Sequence, residues 1–290
     1  MSFEPPGVPG EVVYLKLPRP AELFARRARR FRELAPGNPM GEFLDALADV
    51  AGAQVAALAH LPAGEASAPD LPTAAPLRAT SHPRSPAWRD ALAALVELLR
   101  ERAWPAPAAQ ALRRLTGAPP EELEAMADGV LAGVPASTDL AAAPFVGAAL
   151  QVYFAAQAST LPAEALERNE GGCPVCDSPP VAAVVQGDDK LRYLSCSLCG
   201  SEWNLTRIQC WNCRNTGGIR YLGVSGDSGG VKAEACGTCN AYLKIFYRDR
   251  MPVVEPLADD VASLTLDLLA AQEGWGRSGV NLFLLGGAEG

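Results

Sequence analysis

Apolar residues recur at helical spacing through the first half of the chain. Leu23, Phe24 and Phe31 fall on one face of a segment that begins near Pro20 and stops before a Pro-Gly pair at 36–37. Comparable patterns predict five more helices, at 43–60, 87–103, 107–115, 119–131 and 141–158. Six helices of this kind predict an orthogonal or bundle-like helical domain.

The pattern is lost in 61–86 and changes type after about residue 169. The first of these segments is rich in Pro, Ala and Ser and has no periodicity, which predicts a long loop. Beyond residue 169, short β-branched runs predict strands at 181–185, 191–194, 219–224 and 231–235. Helical spacing returns at Val261, Leu264 and Leu268 and predicts a helix near the C-terminus.

All eight cysteines lie in the second half of the chain and form four Cys-x-x-Cys pairs. The pairs are Cys173/Cys176, Cys196/Cys199, Cys210/Cys213 and Cys236/Cys239. Two such pairs supply the four thiolates of a tetrahedral zinc or iron site. Pairing neighbours leaves 19 residues between the first two pairs and 22 between the last two. The sequence therefore predicts two four-cysteine metal sites.

The cysteine region has a duplicated order. In each copy a Cys-x-x-Cys knuckle, two strands with a turn between them, and a second knuckle follow one another. Knuckles of rubredoxin-like and zinc-ribbon sites turn tightly, so the residue after each knuckle matters. Gly200 suits such a turn, Asp177 and Asn240 tolerate it, and Arg214 fits it less well.

These features divide the chain into five parts. They are an N-terminal tail (1–18), a helical domain (19–169), a first rubredoxin-like metal module (170–207), a second module (208–250), and a C-terminal helix and tail (251–290). Each module is too small to bury much of a core, so we expect bound metal to supply much of its folding free energy.

A disulfide framework is the alternative use of eight cysteines, and it needs an oxidising compartment. The first residues lack the basic start and apolar run of a secretory signal, and an arginine-rich segment at 26–32 is not followed by an apolar core. No run of about 18 apolar residues occurs, so we expect no membrane span. These features predict a cytoplasmic protein with reduced cysteines.

Two segments match catalytic sequence motifs but lie in predicted secondary structure that does not fit those motifs. Gly226-Asp-Ser-Gly-Gly230 matches a nucleophile elbow but falls in a predicted hairpin turn, and the Gly-x-Gly-x-x-Gly string at 274–279 follows a helix rather than a strand. The two histidines, His60 and His82, are predicted to be ordinary surface residues. The sequence thus predicts a protein that is not an enzyme.

The four-cysteine pattern alone leaves three functions open: a protein that recognises an immature partner, a nucleic-acid-binding zinc ribbon, and a rubredoxin-type electron carrier. A net charge of −8 disfavours phosphate binding. A helical half the size of a full domain is unexplained by electron transfer. The acidic pair Asp259-Asp260 is interpreted as helix capping and dipole compensation, and Asp267 as a residue that faces a partner or forms a salt bridge with an arginine of the other domain.

Specific motifs resemble those of the formate dehydrogenase accessory protein FdhE family. The first runs are Cys173-Pro-Val-Cys176-x-Ser178-x-Pro180, Leu191-Arg-Tyr-Leu-x-Cys196-x-x-Cys199-x-x-x-Trp203 and Arg207-x-x-Cys210-x-x-Cys213. They are followed by Glu234-x-Cys236-x-x-Cys239-x-x-Tyr242-Leu-Lys244 and Ala258-Asp259-Asp260-x-Ala262-x-Leu264-x-Leu266-Asp267. The resemblance spans about 172–285 closely and the helical half more loosely.

The resemblance implies an α+β protein with a helical N-terminal domain, two tandem rubredoxin-like or zinc-ribbon modules and a C-terminal helix. It also implies a cytoplasmic maturation factor that binds the catalytic subunit of a formate dehydrogenase. Iron held by four cysteines per site is the implied metal, with zinc as the alternative. The family's metal ligands carry over to all eight cysteines, while Asp177 and Arg214 stand where a glycine usually follows the knuckle.

Overall fold

A computed structural model describes residues 12–62, 75–169, 171–224, 226 and 229–286. Six helices fill the first half of the chain: α1 (Pro20–Leu34), α2 (Gly41–Ala57), α3 (Ala87–Leu99), α4 (Ala106–Gly117), α5 (Pro120–Leu131) and α6 (Ala143–Ala158). They correspond to the six helices that the apolar spacing predicts. Among the described residues, no helix combines the length and the apolar character needed to cross a membrane.

The helix α6 is the centre of the helical domain. It packs against α1, α2, α3 and α5, and nearly all of its side chains are buried, including Phe145, Leu150 and Phe154. A helix that is apolar on all sides can be stable only inside a core. One side of α6 therefore remains for the second half of the chain to cover.

The strands of the two predicted modules join into a single sheet. Its strands are β2 (Pro180–Gln186), β3 (Leu191–Cys196), β4 (Glu202–Asn204), β5 (Ile219–Leu222), β6 (Val231–Cys236) and β7 (Ala241–Tyr247), with the short β1 (Leu15–Lys16) and β8 (Gly276–Arg277). The order is β1-β4-β3-β2-β7-β6-β5, and β8 pairs with β7. The sheet thus combines strands from the N-terminal tail, both cysteine modules and the C-terminal tail.

The duplication is visible in the strand pairing. Antiparallel β2, β3 and β4 form the first module, and antiparallel β5, β6 and β7 form the second. The modules join through a parallel pairing of β2 with β7, in which Val184 lies opposite Phe246. A buried ion pair between Arg192 on β3 and Glu234 on β6, 2.7 Å apart, also joins them.

The predicted C-terminal helix is divided at Ser263 into α7 (Pro256–Ala262) and α8 (Leu264–Gln272). The buried Lys244 ammonium donates to the carbonyl oxygens of Asp260, at 2.7 Å, and Ser263, at 3.3 Å. The Ser263 hydroxyl donates to the Asp259 carbonyl at 2.7 Å. These side chains occupy carbonyl groups of the final turn of α7, which accounts for the break in the helix.

The acidic pair in α7 is buried, and Asp259 makes the capping contact that the sequence predicts, because its carboxylate accepts from the backbone N–H of the N-cap residue Glu255 at 2.8 Å. Asp259 forms a bidentate pair with Arg30 of α1, with its closest contact at 2.7 Å. Asp260 contacts Lys244 at 3.1 Å and Arg277 at 2.6 Å. Glu255 completes the cap, because its carboxylate accepts from the backbone N–H of Ala258 at 2.8 Å. These carboxylates tie α7 to α1 and to the sheet.

Candidate metal centres

The structure brings the eight cysteines together as two clusters of four, in the combination that the spacing predicts. Cys173, Cys176, Cys196 and Cys199 form the first centre, and Cys210, Cys213, Cys236 and Cys239 form the second. Within each centre all Sγ atoms lie within 4.8 Å of one another. No pair is bonded as a disulfide.

The sulfur spacing fits a tetrahedral metal ion. In the first centre, Cys173 Sγ lies 3.6 Å from Cys199 Sγ, and Cys176 Sγ lies 3.4 Å from Cys196 Sγ. The corresponding distances in the second centre are 3.7 Å and 3.6 Å. A metal–sulfur bond of about 2.3 Å in tetrahedral geometry separates the sulfurs by about 3.8 Å. Both centres therefore have the ligand number and geometry to hold one ion each.

Each knuckle is closed by local backbone hydrogen bonds. In the first knuckle the Asp177 N–H donates to the Cys173 carbonyl at 2.8 Å, and the Cys173 N–H donates to the Ser178 carbonyl at 3.0 Å. The third knuckle repeats this pattern with Arg214 and Cys210 at 3.0 Å. These bonds require a left-handed residue directly after each knuckle, as the sequence predicts. The φ angles are 60° at Asp177, 75° at Gly200, 64° at Arg214 and 55° at Asn240.

Polar groups point at the sulfurs of the first centre. The Val175 N–H lies 3.4 Å from Cys173 Sγ, and the Leu198 N–H lies 3.3 Å from Cys196 Sγ. These two backbone donors stabilise thiolate charge around a metal ion. The Cys199 thiol donates to the Ser201 hydroxyl oxygen at 3.2 Å.

The electrostatics of the thiols favour a bound cation. Burial raises the pKa of Cys173 and Cys196 well above the usual thiol value, whereas for Cys176 hydrogen bonds from the neighbouring thiols outweigh burial and lower the pKa well below it. In the second centre burial raises the pKa of Cys210 to about 12, whereas for Cys236 backbone N–H donors outweigh burial and lower the pKa to about 7. One thiolate thus forms readily in the second centre, and further negative charges there need a positive ion beside them.

The helical domain covers the first centre. All four of its cysteines are buried. The backbone N–H groups of Ala75, Leu77 and Ala79, each at 2.9 Å, donate to the carbonyls of three successive knuckle residues, Pro174, Val175 and Cys176. Part of the predicted long loop is therefore an ordered wall of this centre, and residues 63–74 of that loop lie outside the described residues.

A buried polar chain connects the first centre to the helical domain on its other side. The Gln151 side chain on α6 donates to the carbonyl of Ser197, between Cys196 and Cys199, at 2.8 Å. Its carbonyl oxygen accepts from Arg27 at 3.1 Å, and Arg27 in turn pairs with Glu255 at 3.1 Å. All of these side chains are buried. In the sequence, this polar network is marked only by Gln151, one of two glutamines in an otherwise apolar helix.

The second centre faces solvent. Cys210 and Cys236 are buried, whereas Cys239 is partly exposed and Cys213 is exposed. Tyr242 and Ala270 belong to a small core cluster beside this module, which is separate from the main core. The main core includes the helices and all four cysteines of the first centre.

The other predicted sites lie apart from both centres. His60 is exposed, and His82 is half-buried with its ring against Phe154. The 226–230 string lies in the β5–β6 connection, where 227 and 228 are outside the described residues. Gly279 lies where the tail crosses the sheet, and a Cβ atom there would come within 2.7 Å of the Val181 carbonyl oxygen. Close backbone approach therefore explains that glycine without a dinucleotide.

Asp267 belongs to a buried polar cluster of the second half. Its carboxylate pairs with Lys244 and, at 2.9 Å, with Arg277, and it accepts from the Tyr242 hydroxyl at 2.7 Å. It thus pairs with an arginine of the C-terminal tail rather than of the helical domain. Burial raises the pKa of Tyr242, and the hydrogen bond to Asp267 raises it further.

Comparison with known proteins places this fold and both cysteine clusters in one family. Family models described as "FdhE, N-terminal", "FdhE, central domain" and "FdhE, C-terminal domain" match residues 12–170, 172–207 and 208–284. The chain is 40% identical to Protein FdhE from Escherichia coli O1:K1 and from Escherichia fergusonii, over 94% of this chain and 91% of each relative. The crystal structure of the FdhE protein from Pseudomonas aeruginosa matches with a TM-score of 0.82 and 34% identity, over 95% of this chain and 99% of that one. On this evidence the chain belongs to the FdhE family.

Proposed function

We propose that this protein is a cytoplasmic maturation factor that binds the catalytic subunit of a formate dehydrogenase and is required for that enzyme's activity. The observation that carries the proposal is membership of the FdhE family along the whole chain, with both four-cysteine centres intact. The protein acts through binding and metal, not by catalysing a reaction of its own.

Two metal ions are part of the proposal, one per centre, with all eight cysteines as ligands. Iron in rubredoxin-type coordination is the proposed ion, and zinc is the alternative. The donor sets fit either metal, because both accept four thiolates in tetrahedral geometry. Bound iron would supply a one-electron couple, whereas zinc would supply structure alone.

A second candidate, the rubredoxin-type electron carrier, is favoured by the exposure of Cys213 and Cys239. A centre that reaches the surface is accessible to a redox partner. A nucleic-acid role has less support. Two of the basic residues of the cysteine half, Arg192 and Lys244, are buried in ion pairs and cannot contact phosphate.

Deletion of the gene in the native host, followed by complementation, tests the main proposal. We expect formate dehydrogenase activity to be lost in the deletion strain and restored by the intact chain. An affinity-tagged chain should recover the catalytic subunit from formate-grown cells. Unchanged formate dehydrogenase activity in the deletion strain would disprove the maturation role.

Metal analysis of protein purified anaerobically from the native host tests the two proposed metal sites and the identity of the metal. Two iron ions per chain with thiolate charge-transfer absorption would support rubredoxin-type centres. Two zinc ions would exclude the electron-carrier candidate and leave partner binding as the function. Fewer than one ion per chain of any metal would contradict the metal sites themselves.

A further inference from the structure

The two modules carry equivalent knuckles in very different surroundings. The residues inside the knuckles of the first module are buried, as at Val175 and Leu198. Their counterparts in the second module, Asn212 and Thr238, are exposed. The residues inside the knuckles are apolar at these positions in the first module and polar in the second. This difference indicates that only the knuckles of the first module are permanently buried by other parts of the protein.

The cover on the first module is part of the chain itself. Hydrogen bonds from 75–79 and from Gln151 hold the helical domain onto both of its knuckles. Within the described ranges, the hydrogen bonds that reach the knuckles of the second module from outside it come from the short C-terminal tail, as where the Trp211 indole N–H donates to Ser278 at 2.8 Å. That contact leaves the outer cysteines of the second centre open.

Equivalent ligands therefore differ in access. Cys176 and Cys199 are fully buried, while Cys213 and Cys239, at the same positions of the repeat, reach solvent. Cys210 and Cys236 are buried on the inner side of the second centre. Two inner ligands can thus retain an ion while an outer ligand is replaced.

From this asymmetry we propose that the second centre is an exchange site, at which a thiol of another molecule replaces Cys213 as a ligand, while the first centre is locked. This inference rests on the metal binding proposed above. In the exchange step the incoming thiol loses its proton and forms a metal–sulfur bond, the bond to Cys213 breaks, and the released thiolate takes up the proton. No electron is transferred, so the step needs no oxidant or reductant.

The distribution of the remaining contacts supports the assignment. Cys176 belongs to a knuckle whose carbonyl groups accept hydrogen bonds from the backbone of 75–79. These hydrogen bonds must break before a competing thiol can reach Cys176 Sγ. Around Cys213 no such wall exists among the described residues, because Asn212 and Gly237 are exposed. Opening the first centre requires local unfolding, and opening the second does not.

Zinc-loaded full-length protein provides the test. After the zinc content is measured, dithiothreitol is added as the competing thiol, with a chromogenic zinc indicator present to report release. We expect one zinc per chain to leave at least tenfold faster than the other. Pulse alkylation with N-ethylmaleimide and peptide mass spectrometry should show Cys213 and Cys239 modified with the fast phase, and the first four cysteines modified only with the slow phase.

The variants Cys213→Ser and Cys176→Ser assign the phases. C213S should remove the fast phase of zinc release and keep the slow one. If C176S does not fold, alkylation of the wild-type protein assigns the slow phase to the first centre. Release of both ions at one rate, or early alkylation of Cys176 or Cys199, would overturn the proposal. A zinc content well below two per chain before any competitor is added would instead contradict the proposed metal sites.

Discussion

At the scale of single residues, the left-handed positions after the knuckles differ in how they are stabilised. Gly200 has no steric cost at φ 75°. Asp177 adds side-chain contacts, since its carboxylate accepts from Asn169 at 2.7 Å and pairs with Arg78. Arg214 takes part in the turn through its backbone N–H and carbonyl, with no described hydrogen bond or ion pair from its side chain. Its conformational cost is therefore less compensated than that of Asp177.

Replacing Arg214 with glycine should stabilise the metal-loaded protein. The left-handed conformation costs a non-glycine residue about 1–2 kcal/mol, and the added freedom of glycine in the unfolded chain offsets about half of that gain. We expect a small rise in the urea midpoint for Arg214→Gly. Asp177→Gly is the matched control and should not rise, because it loses the contacts to Asn169 and Arg78. Equal shifts in both variants would contradict this account of the turns.

Gln151 is the residue on which the contact between α6 and the first centre depends. Gln151→Leu would leave the Arg27 guanidinium and the Ser197 carbonyl short of a partner in a buried site. Each unsatisfied buried group costs about 1–3 kcal/mol, so a loss of about 3 kcal/mol is expected. Urea unfolding measures this loss.

The control for that substitution is Gln157→Leu, in the same helix. Gln157 is partly exposed, and no hydrogen bond of its side chain is described. Its replacement should change the free energy of unfolding by less than about 0.5 kcal/mol. Comparable losses in the two variants would show that the effect belongs to the helix rather than to the polar chain.

At the scale of elements, Lys244 determines how the C-terminal segment meets the sheet. It is buried on β7, at the point where its ammonium reaches Asp260, Asp267 and the carbonyls that separate α7 from α8. The two positive groups, Lys244 and Arg277, lower the pKa of Asp260 against the effect of burial. The Asp260 carboxylate is therefore stabilised in its ionised form in the folded protein.

Lys244→Met should be strongly destabilising, because it leaves two buried carboxylates with Arg277 as their one remaining cation within this cluster. Breaking a buried pair costs about 3–5 kcal/mol. Lys232→Met on the neighbouring strand β6 is the control. Lys232 lies over the Tyr247 ring, and its loss should cost less than about 1 kcal/mol. Thermal unfolding of both proteins, with equal metal content, distinguishes the two outcomes.

Elements with a clear period were predictable from the sequence, and elements defined by distant partners were not. The amphipathic spacing of Leu23, Phe24 and Phe31 predicts α1 to within a residue at its start. The strand β7 has a lysine at its centre, and this charge hides a buried strand from any pattern of apolar residues. The parallel pairing of β2 with β7 joins segments about 60 residues apart, and no local signal encodes such a contact.

The candidate sites show the same distinction. Four Cys-x-x-Cys pairs at suitable spacing were enough to predict which cysteines cluster, because each knuckle is local and each module is short. The different exposure of the two clusters was not predictable. It depends on 75–79 and on Gln151, which reach the first centre only after the helical domain has folded against the sheet.

At the scale of the whole molecule, the two centres lie beside different apolar clusters. The first centre shares one continuous core with the helices, and its four sulfurs lie inside that core. The second module contributes Ala233 and Tyr242 to a small separate cluster with α8, while Leu243, Ile245 and Phe246 of its strand β7 belong to the main core. Loss of metal from the two centres should therefore have unequal consequences for the fold.

Removing one ligand from each centre tests this difference with matched substitutions. Cys196 and Cys236 both begin the second knuckle of their module, and both are buried. Cys196→Ser should reduce helical circular dichroism and raise hydrogen exchange in α1, α6 and the first module. The reason is that the four cysteines of the first centre are part of the main core. Cys236→Ser should raise exchange only in β5, β6 and the adjoining knuckles, with the helices unchanged. Exchange measured by mass spectrometry on both variants decides the point. Equal loss of helical signal in the two proteins would show that the molecule unfolds as one unit and that the second module has no separate stability.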